Sequence, residues 1–406
     1  MNEVIKTNEV IFRKDLYPRF NPDQGLIQRY SESLEYLPPI ILNQNKILVD
    51  GFHRWKAHQL AKVDEIKVVF KEIESEKELR KLAFQYNSHH GKQLTNDEKK
   101  SYAQEMIGEQ MSVEELSILL SVDKSTVNRW TTLQRENQKK QRDNKILELY
   151  LNCHTQDQIA EEMGVPQQTI ARILTHLVQI SEMGKDFTPF LYNIWNTPKG
   201  DSDNSHFGAF PKIFMENLLY YHTEKFDIIY DPFAGGGTTV DVCKKWLRRY
   251  YCSDLTVKPG REDDIKQWDI TKGLPDDLPK PDMVFLDPPY WKQAEGKYSK
   301  LDSDFGNMSL EDFYKEMGEL LKSFIDKNIK TIAIVIQPTQ YSNNMIFEDH
   351  IFKFNEMISE KYNIEMRYII PYSTQQYIPQ IVNKAKELTK CLGLNRDLVI
   401  WRKIDS

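Results

Sequence analysis

The residues best placed to do chemistry are Asp287-Pro288-Pro289-Tyr290, which follow the apolar run Met283-Val284-Phe285-Leu286. A short apolar run stopped by two prolines reads as a buried strand delivering a rigid loop to the edge of a sheet. The Asp287 carboxylate can accept a hydrogen bond from an exocyclic amine, and backbone carbonyls beside Pro288 and Pro289 can accept a second. Tyr290 offers a flat face for a planar ring. An amine held in this way has its nitrogen lone pair aimed at an electrophile. The plainer alternative is an ordinary strand end followed by a Pro-Pro turn.

A second stretch upstream asks for a ligand of its own. Phe226-Asp227-Ile228-Ile229-Tyr230 reads as a strand, Asp231-Pro232-Phe233-Ala234-Gly235-Gly236-Gly237-Thr238-Thr239 as a glycine loop, and the residues from Asp241 to Trp246 as a helix. Glycines at a strand-helix junction let backbone approach a ligand where a Cβ would block it. The spacing is not that of a dinucleotide fingerprint, and the Gly-Lys-Ser/Thr of a phosphate loop is missing.

Together the two stretches resemble the amino-methyltransferases of DNA. The resemblance covers about residues 187–403 and implies a Rossmann-like α/β domain that uses S-adenosyl-L-methionine. It assigns Asp287, Pro288, Pro289 and Tyr290 to the target base, and Asp231, Pro232, Phe233, Ala234, Gly235, Gly237 and Thr238 to the cofactor. Asp254, ending the strand from Arg248, stands where a carboxylate would bind ribose hydroxyls. Asp269 stands where the family has an acid on the cofactor's adenine, and His206 and Pro211 where it has an element beside the methionine part. Gln337, ending the apolar run Thr331-Ile332-Ala333-Ile334-Val335-Ile336, could line the base pocket, and stretches 364–370 and 396–402 would pair antiparallel. In duplex DNA the target must be flipped out of the stack, with Trp291 a further candidate for holding it. The Asp-Pro-Pro-Tyr form leans toward adenine N6; cytosine N4, an amine in RNA, and an inactive DNA-binding regulator stay open.

The elements that must position this chemistry belong to a chain of 406 residues, too long for one core, so several domains are expected. A composition 40% hydrophobic and 28% charged is that of a soluble globular protein. A net charge of -6 excludes a generally basic nucleic-acid coat, though not local basic surfaces. Cys153, Cys243, Cys252 and Cys391 are scattered, without Cys-x-x-Cys or grouping with His. Neither a disulfide framework nor a metal site is therefore expected, and the cytoplasm is the expected compartment. The opening Met1-Asn2-Glu3-Val4-Ile5-Lys6 lacks a signal-peptide core, and no run approaches a membrane span.

Residues 1–92 read as a small α/β unit with strands at 37–42, 46–50 and 66–70. Between the second and third, Gly51-Phe52-His53-Arg54 enters a helix, and Gly51, His53 and Arg54 make a candidate anion or nucleotide site. This stretch resembles the N-terminal domain of ParB-like partition proteins, several of which bind a nucleotide there. Its likeness to sulfiredoxin stops at Phe52, where that family has a reactive cysteine. A partial match to the ParB-like family's downstream element lies at Asn87-Ser88-His89-His90.

Residues 93–143 read as helical, beginning with a capping box at Thr95-Asn96-Asp97-Glu98. A helix-turn-helix follows, its second helix opening on Lys124, Ser125, Thr126, Asn128 and Arg129, donors suited to phosphates and base edges. After a basic bridge at 135–143, residues 144–181 read as a second such pair turning at Gly164, with Gln167, Gln168, Thr169 and Arg172 outward. Helix pairs of this kind also occur as plain packing. The main boundary is expected at 181–186, with the methyltransferase domain at 182–406. Double-stranded DNA is the expected partner, and a homodimer is allowed.

Overall fold

The computed structural model describes residues 3–19, 21–89, 94–108, 111–180, 186–196, 210–292, 296, 299–341, 343–371, 377 and 379–404. Strands are β1 (Glu3–Lys6), β2 (Ile40–Asn43), β3 (Leu48–Asp50), β4 (Glu65–Lys71), β5 (Ile228–Asp231), β6 (Arg249–Asp254), β7 (Ile265–Gln267), β8 (Met283–Leu286), β9 (Thr331–Ile336), β10 (Thr339–Tyr341), β11 (Ile346–Glu348), β12 (Tyr362–Pro371) and β13 (Asn395–Lys403). Backbone contacts divide the chain into two compact units, Met1–Arg142 and Asp143–Ser406.

In the second unit, β5, β8 and β9 are buried along their whole length. Continuous apolar strands are what a parallel sheet covered on both faces requires. Its seven strands run in the order β12-β13-β9-β8-β5-β6-β7. Pairings from β9 through β7 are parallel; β13 and β12 join antiparallel. The two terminal stretches anticipated to pair are these two strands, with a bulge between Ile364 and Met366. Helices Lys212–His222 and Thr238–Lys245 contribute Phe214, Leu218, Val240 and Cys243 to one core layer; Leu310–Asp326 and His350–Ile358 contribute Phe313, Leu321 and Phe354 to the other. From β5 the chain moves outward to β6 and β7, then returns to β5's other side as β8. The switch point of the sheet therefore lies between β5 and β8, where open α/β sheets present a crevice.

The second helix pair is Gln156–Met163 and Gln167–Ile180, and Gly164 at φ 63° makes the anticipated left-handed turn. It shares a compact unit with the sheet. Leu151 is buried in the sheet's core, and Leu147 and Val178 pack on it. Arg249 donates to the Tyr150 carbonyl at 3.1 Å, Tyr150 meets Phe226 edge-on at 5.0 Å, and Asn152 donates to the Asp263 carbonyl. These contacts fall where β5, β6 and β7 begin.

The first unit holds a four-stranded sheet, β1-β4-β2-β3, with helix Phe52–Leu60 on it. Helices Asn96–Met106 and Val113–Leu120 both start on capping boxes, the first the anticipated Thr95/Glu98 pair and the second Ser112/Glu115. The basic stretch 135–143 is not a separate bridge. Helix Lys124–Leu151 runs unbroken through it for 28 residues, and the division between units falls inside this helix.

Gly51 adopts φ 102°, and a Cβ there would stand 2.5 Å from an Ile40 methyl. Both the left-handed backbone and the contact forbid a side chain. Gly51→Ala is expected to destabilise the N-terminal unit by about 2 kcal/mol or more, read as a lower denaturation midpoint.

Candidate active site

Ile229 and Tyr230 of β5 pair in parallel with Met283 and Val284 of β8. Both strands thus release their loops at the same edge of the sheet, the glycine loop after β5 and Asp287-Pro288-Pro289-Tyr290 after β8. The carboxylates of Asp231 and Asp287 are close enough to interact: Asp287 helps to raise Asp231.

Asp231 is buried and turned inward. One oxygen accepts from the Phe233 amide at 2.9 Å and the other from the Thr239 hydroxyl at 2.5 Å, tying the loop's entrance to the helix it feeds. Burial pushes its carboxyl up to about 7. These bonds tie the loop internally and leave each oxygen one further lone pair. Asp254 ends β6, and each oxygen accepts one amide, Gly235 at 2.8 Å and Thr256 at 3.0 Å. The second lone pair of each oxygen is what it can offer to hydroxyls. Gly235 is left-handed at φ 50°, and the nearest atom to a Cβ there would be 3.9 Å away. The left-handed backbone, and not crowding, is therefore what calls for glycine there.

Pro232 and Ala234 are buried, whereas Phe233 and Thr238 are half-exposed; Phe233 meets Phe305 edge-on at 5.2 Å. Gly237 caps the helix at φ 87°. Asp269 accepts from the amide and hydroxyl of Thr271, capping the short turn after it. Pro211 caps helix Lys212–His222, and neighbouring Phe210 packs on Phe285 of β8 at 5.3 Å. His206 lies outside the described residues, as do His90 and the side chains of Ser88 and His89.

On the acceptor side, burial pushes Asp287 up to about 6, opposed by the Arg396 guanidinium and by a hydrogen bond from Tyr290. Pro288 is buried; Pro289 and Tyr290 are half-exposed. Trp291 is buried and donates to the Met308 carbonyl at 3.0 Å. Gln337 is buried behind β9.

Two contributors went unseen in the sequence. Arg396, its guanidinium over Phe210 at 5.8 Å, is one. The other is Arg261, which donates to both oxygens of Asp241 at 2.8 and 3.0 Å, its guanidinium lying where a Cβ on Gly237 would be 3.0 Å away. Arg261 sits in a loop without periodicity, so spacing could not find it.

The remaining candidates lie elsewhere. Lys124, Ser125, Asn128 and Arg129 are exposed at the start of their helix and Thr126 is half-exposed; Lys124 pairs with Glu114 at 3.0 Å. Gln167, Gln168 and Arg172 are exposed, with Thr169 half-exposed. At Gly51 the anticipated cationic pocket takes another form. Arg54 is engaged with Asp50 at 2.7 Å, while His53, held below its usual range by burial, accepts from the Asp23 amide at 3.1 Å. Among the described residues no cluster of three His, Cys, Asp or Glu could hold a metal.

A family model described as DNA methylase, of the N6/N4 methyltransferase type, matches residues 23–258, more than half the chain. The chain belongs to the N6/N4 DNA methylase family. It is thus an S-adenosyl-L-methionine-dependent DNA amino-methyltransferase with DNA as its partner. The matched stretch includes the glycine loop of this methylase and ends before Asp287.

No curated protein matches this methylase. Among solved structures, the chromosome-partitioning protein ParB from Caulobacter crescentus, complexed to parS, is 16% identical, with 32% of this chain and 71% of that chain covered and a TM-score of 0.25. The 1,6-didemethyltoxoflavin-N1-methyltransferase of Burkholderia thailandensis is 11% identical over 59% of this chain and 91% of that one, at 0.30. A modification subunit of a putative type I restriction enzyme from Vibrio vulnificus is 12% identical over 61% and 52%, at 0.31. Scores this low carry no argument about the methylase.

Arg261→Ala is expected to raise the dissociation constant for S-adenosyl-L-methionine about tenfold by releasing Gly237, measured by calorimetry. An ionised Asp287 would be the stronger acceptor for an amine and the only form able to take a proton, and its raised value moves that ionisation upward. Activity, followed as kcat/KM against pH, should therefore fall below about pH 6 and not near the ordinary value of about 4.

Proposed function

We propose that this methylase transfers a methyl group to adenine N6 in duplex DNA. The observation that supports it best is the adjacency of the glycine loop and Asp287-Pro288-Pro289-Tyr290 on neighbouring parallel strands. Bound S-adenosyl-L-methionine supplies a methyl group already activated on a sulfonium. Pro232, Phe233, Ala234, Gly235, Gly237 and Thr238 would hold it by backbone, with Asp254 on the ribose and Asp269 near the adenine. Asp231 acts through the loop.

Asp287 accepts one N–H of the target amine, a carbonyl beside Pro288 accepts the other, and Tyr290 stacks on the base. Transfer forms a nitrogen–carbon bond, breaks the carbon–sulfur bond and leaves the amine with one proton too many. The Asp287 carboxylate, at about 6, can take that proton. Orientation and loss of water do most of the work, since the donor needs no strong base. The exposed donors Lys124, Ser125, Asn128, Arg129, Gln167, Gln168 and Arg172 on the two helix pairs select the DNA site. Four free cysteines fit a reducing cytoplasm.

Cytosine N4 presents an equivalent amine to the same loop. Labelled methyl transfer to duplex DNA and to RNA, followed by nucleoside analysis, separates the readings: N6-methyladenine in duplex DNA is expected, and N4-methylcytosine or labelled RNA would overturn it. Asp287→Ala should lower turnover by about 1,000-fold or more while cofactor affinity stays within about threefold. Arg129→Ala should weaken duplex binding and flatten its salt dependence by about one unit of slope if it meets a phosphate.

A further inference from the structure

Directly after β9 the chain leaves the main sheet as the two-stranded ribbon β10–β11, with Tyr341 opposite Ile346 and Gln340 opposite Phe347. A ribbon of three-residue strands has little stability of its own. This one is braced by side chains. Tyr314 donates to Glu348 at 2.6 Å and meets His350 Nδ1 at 2.8 Å, while His350 Nε2 meets the Thr339 hydroxyl at 3.0 Å. His350 is buried, and loss of water pushes it down to about 4, so the relay is held by a neutral ring. Gln340 donates to the Cys391 carbonyl at 2.7 Å and accepts from the Gly393 amide at 3.0 Å.

Yet Ile346 and Phe347 of this braced ribbon are 47% and 55% exposed. Successive strand residues point to opposite faces, so it is Ile346, across from Tyr341, that extends an apolar strip beginning at the acceptor loop: Tyr341 packs edge-on against Trp291 at 5.1 Å, and Trp291 follows Tyr290 directly. A lysine stands at each end of the strip: Lys292 over the Trp291 ring at 5.9 Å, and Lys384 on Asn343 at the ribbon's turn at 3.0 Å. Apolar side chains between cations, continuous with a base-binding loop, match a duplex whose stack is opened between two phosphate backbones.

We infer that the β10–β11 ribbon is a wedge that enters duplex DNA beside the target, Ile346 occupying the gap left by the flipped base. The inference rests on the reading of Asp287-Pro288-Pro289-Tyr290 as the base-binding loop. A wedge is needed only where a paired, stacked base must be held out, so its loss is offset by a target that is already unpaired.

The test compares wild type with Ile346→Ser, and with Phe347→Ser on the ribbon's other face as the control, on an oligonucleotide duplex carrying the sequence that the wild-type enzyme methylates in genomic DNA. One version is fully paired and the other carries a mismatch opposite the target. Ile346→Ser should lose about 20-fold or more in kcat/KM on the paired duplex but stay within about threefold of wild type on the mismatched one, with cofactor KM unchanged, while Phe347→Ser stays within about threefold on both. The fluorescence rise of 2-aminopurine at the target should be lost in parallel. Paired-duplex activity of Ile346→Ser within about twofold of wild type would overturn the wedge, as would an equal loss in Phe347→Ser. So would an equal loss on both duplexes, or a dimer that becomes monomeric without loss of rate, which would give the strip to a second copy. Failure of the wild-type enzyme to methylate either duplex would instead overturn the proposed function.

Discussion

The parallel pairing of β5 with β8 is the constraint on which the site depends. Because Ile229 and Tyr230 lie beside Met283 and Val284, the residues that follow each strand emerge side by side on one edge. Nothing in the loops themselves could achieve this. It takes two buried strands, covered on both faces, to fix two glycine- and proline-rich segments against each other. The excursion through β6 and β7 before the return as β8 opens the crevice and also brings Asp254 to it.

Electrostatics sharpen that arrangement. Asp231, Asp254 and Asp287 all face loss of water, and burial raises all three. They differ in what compensates. Asp231 is satisfied internally by Phe233 and Thr239, and Asp254 by Gly235 and Thr256. Asp287 is steadied by Arg396 and Tyr290. What compensates each acid is thus set by its hydrogen-bond and charge partners and not by residue type.

Much of this could be read from residue order. Apolar runs at 228–230, 283–286 and 331–336 announced buried strands, glycines and prolines marked where they ended, and the Thr95–Glu98 spacing gave a helix start that the backbone confirms. The direction in which Asp231 points was not legible, since hydrogen-bond geometry has no one-dimensional signature. The 28-residue helix was hidden because its middle is polar on every side, so a periodic pattern broke where the backbone did not. Arg261 and the three-residue strands of the ribbon were too short or too irregular to leave a pattern. The second helix pair was read as separate from the sheet, yet Leu147, Leu151 and Val178 complete a core that only tertiary packing reveals.

The second helix pair meets the sheet where β5, β6 and β7 begin, whereas the ligand loops leave from the opposite ends of the strands. The central claim, that Asp287 holds a nucleobase amine beside a methyl donor cradled on Gly235, is tested most directly by a crystal structure with S-adenosylhomocysteine and duplex DNA. The account predicts the thioether sulfur over the glycine loop and the flipped base's amine on Asp287 beside Tyr290. A homocysteine or a flipped base lodged away from the β5–β8 crevice would contradict it.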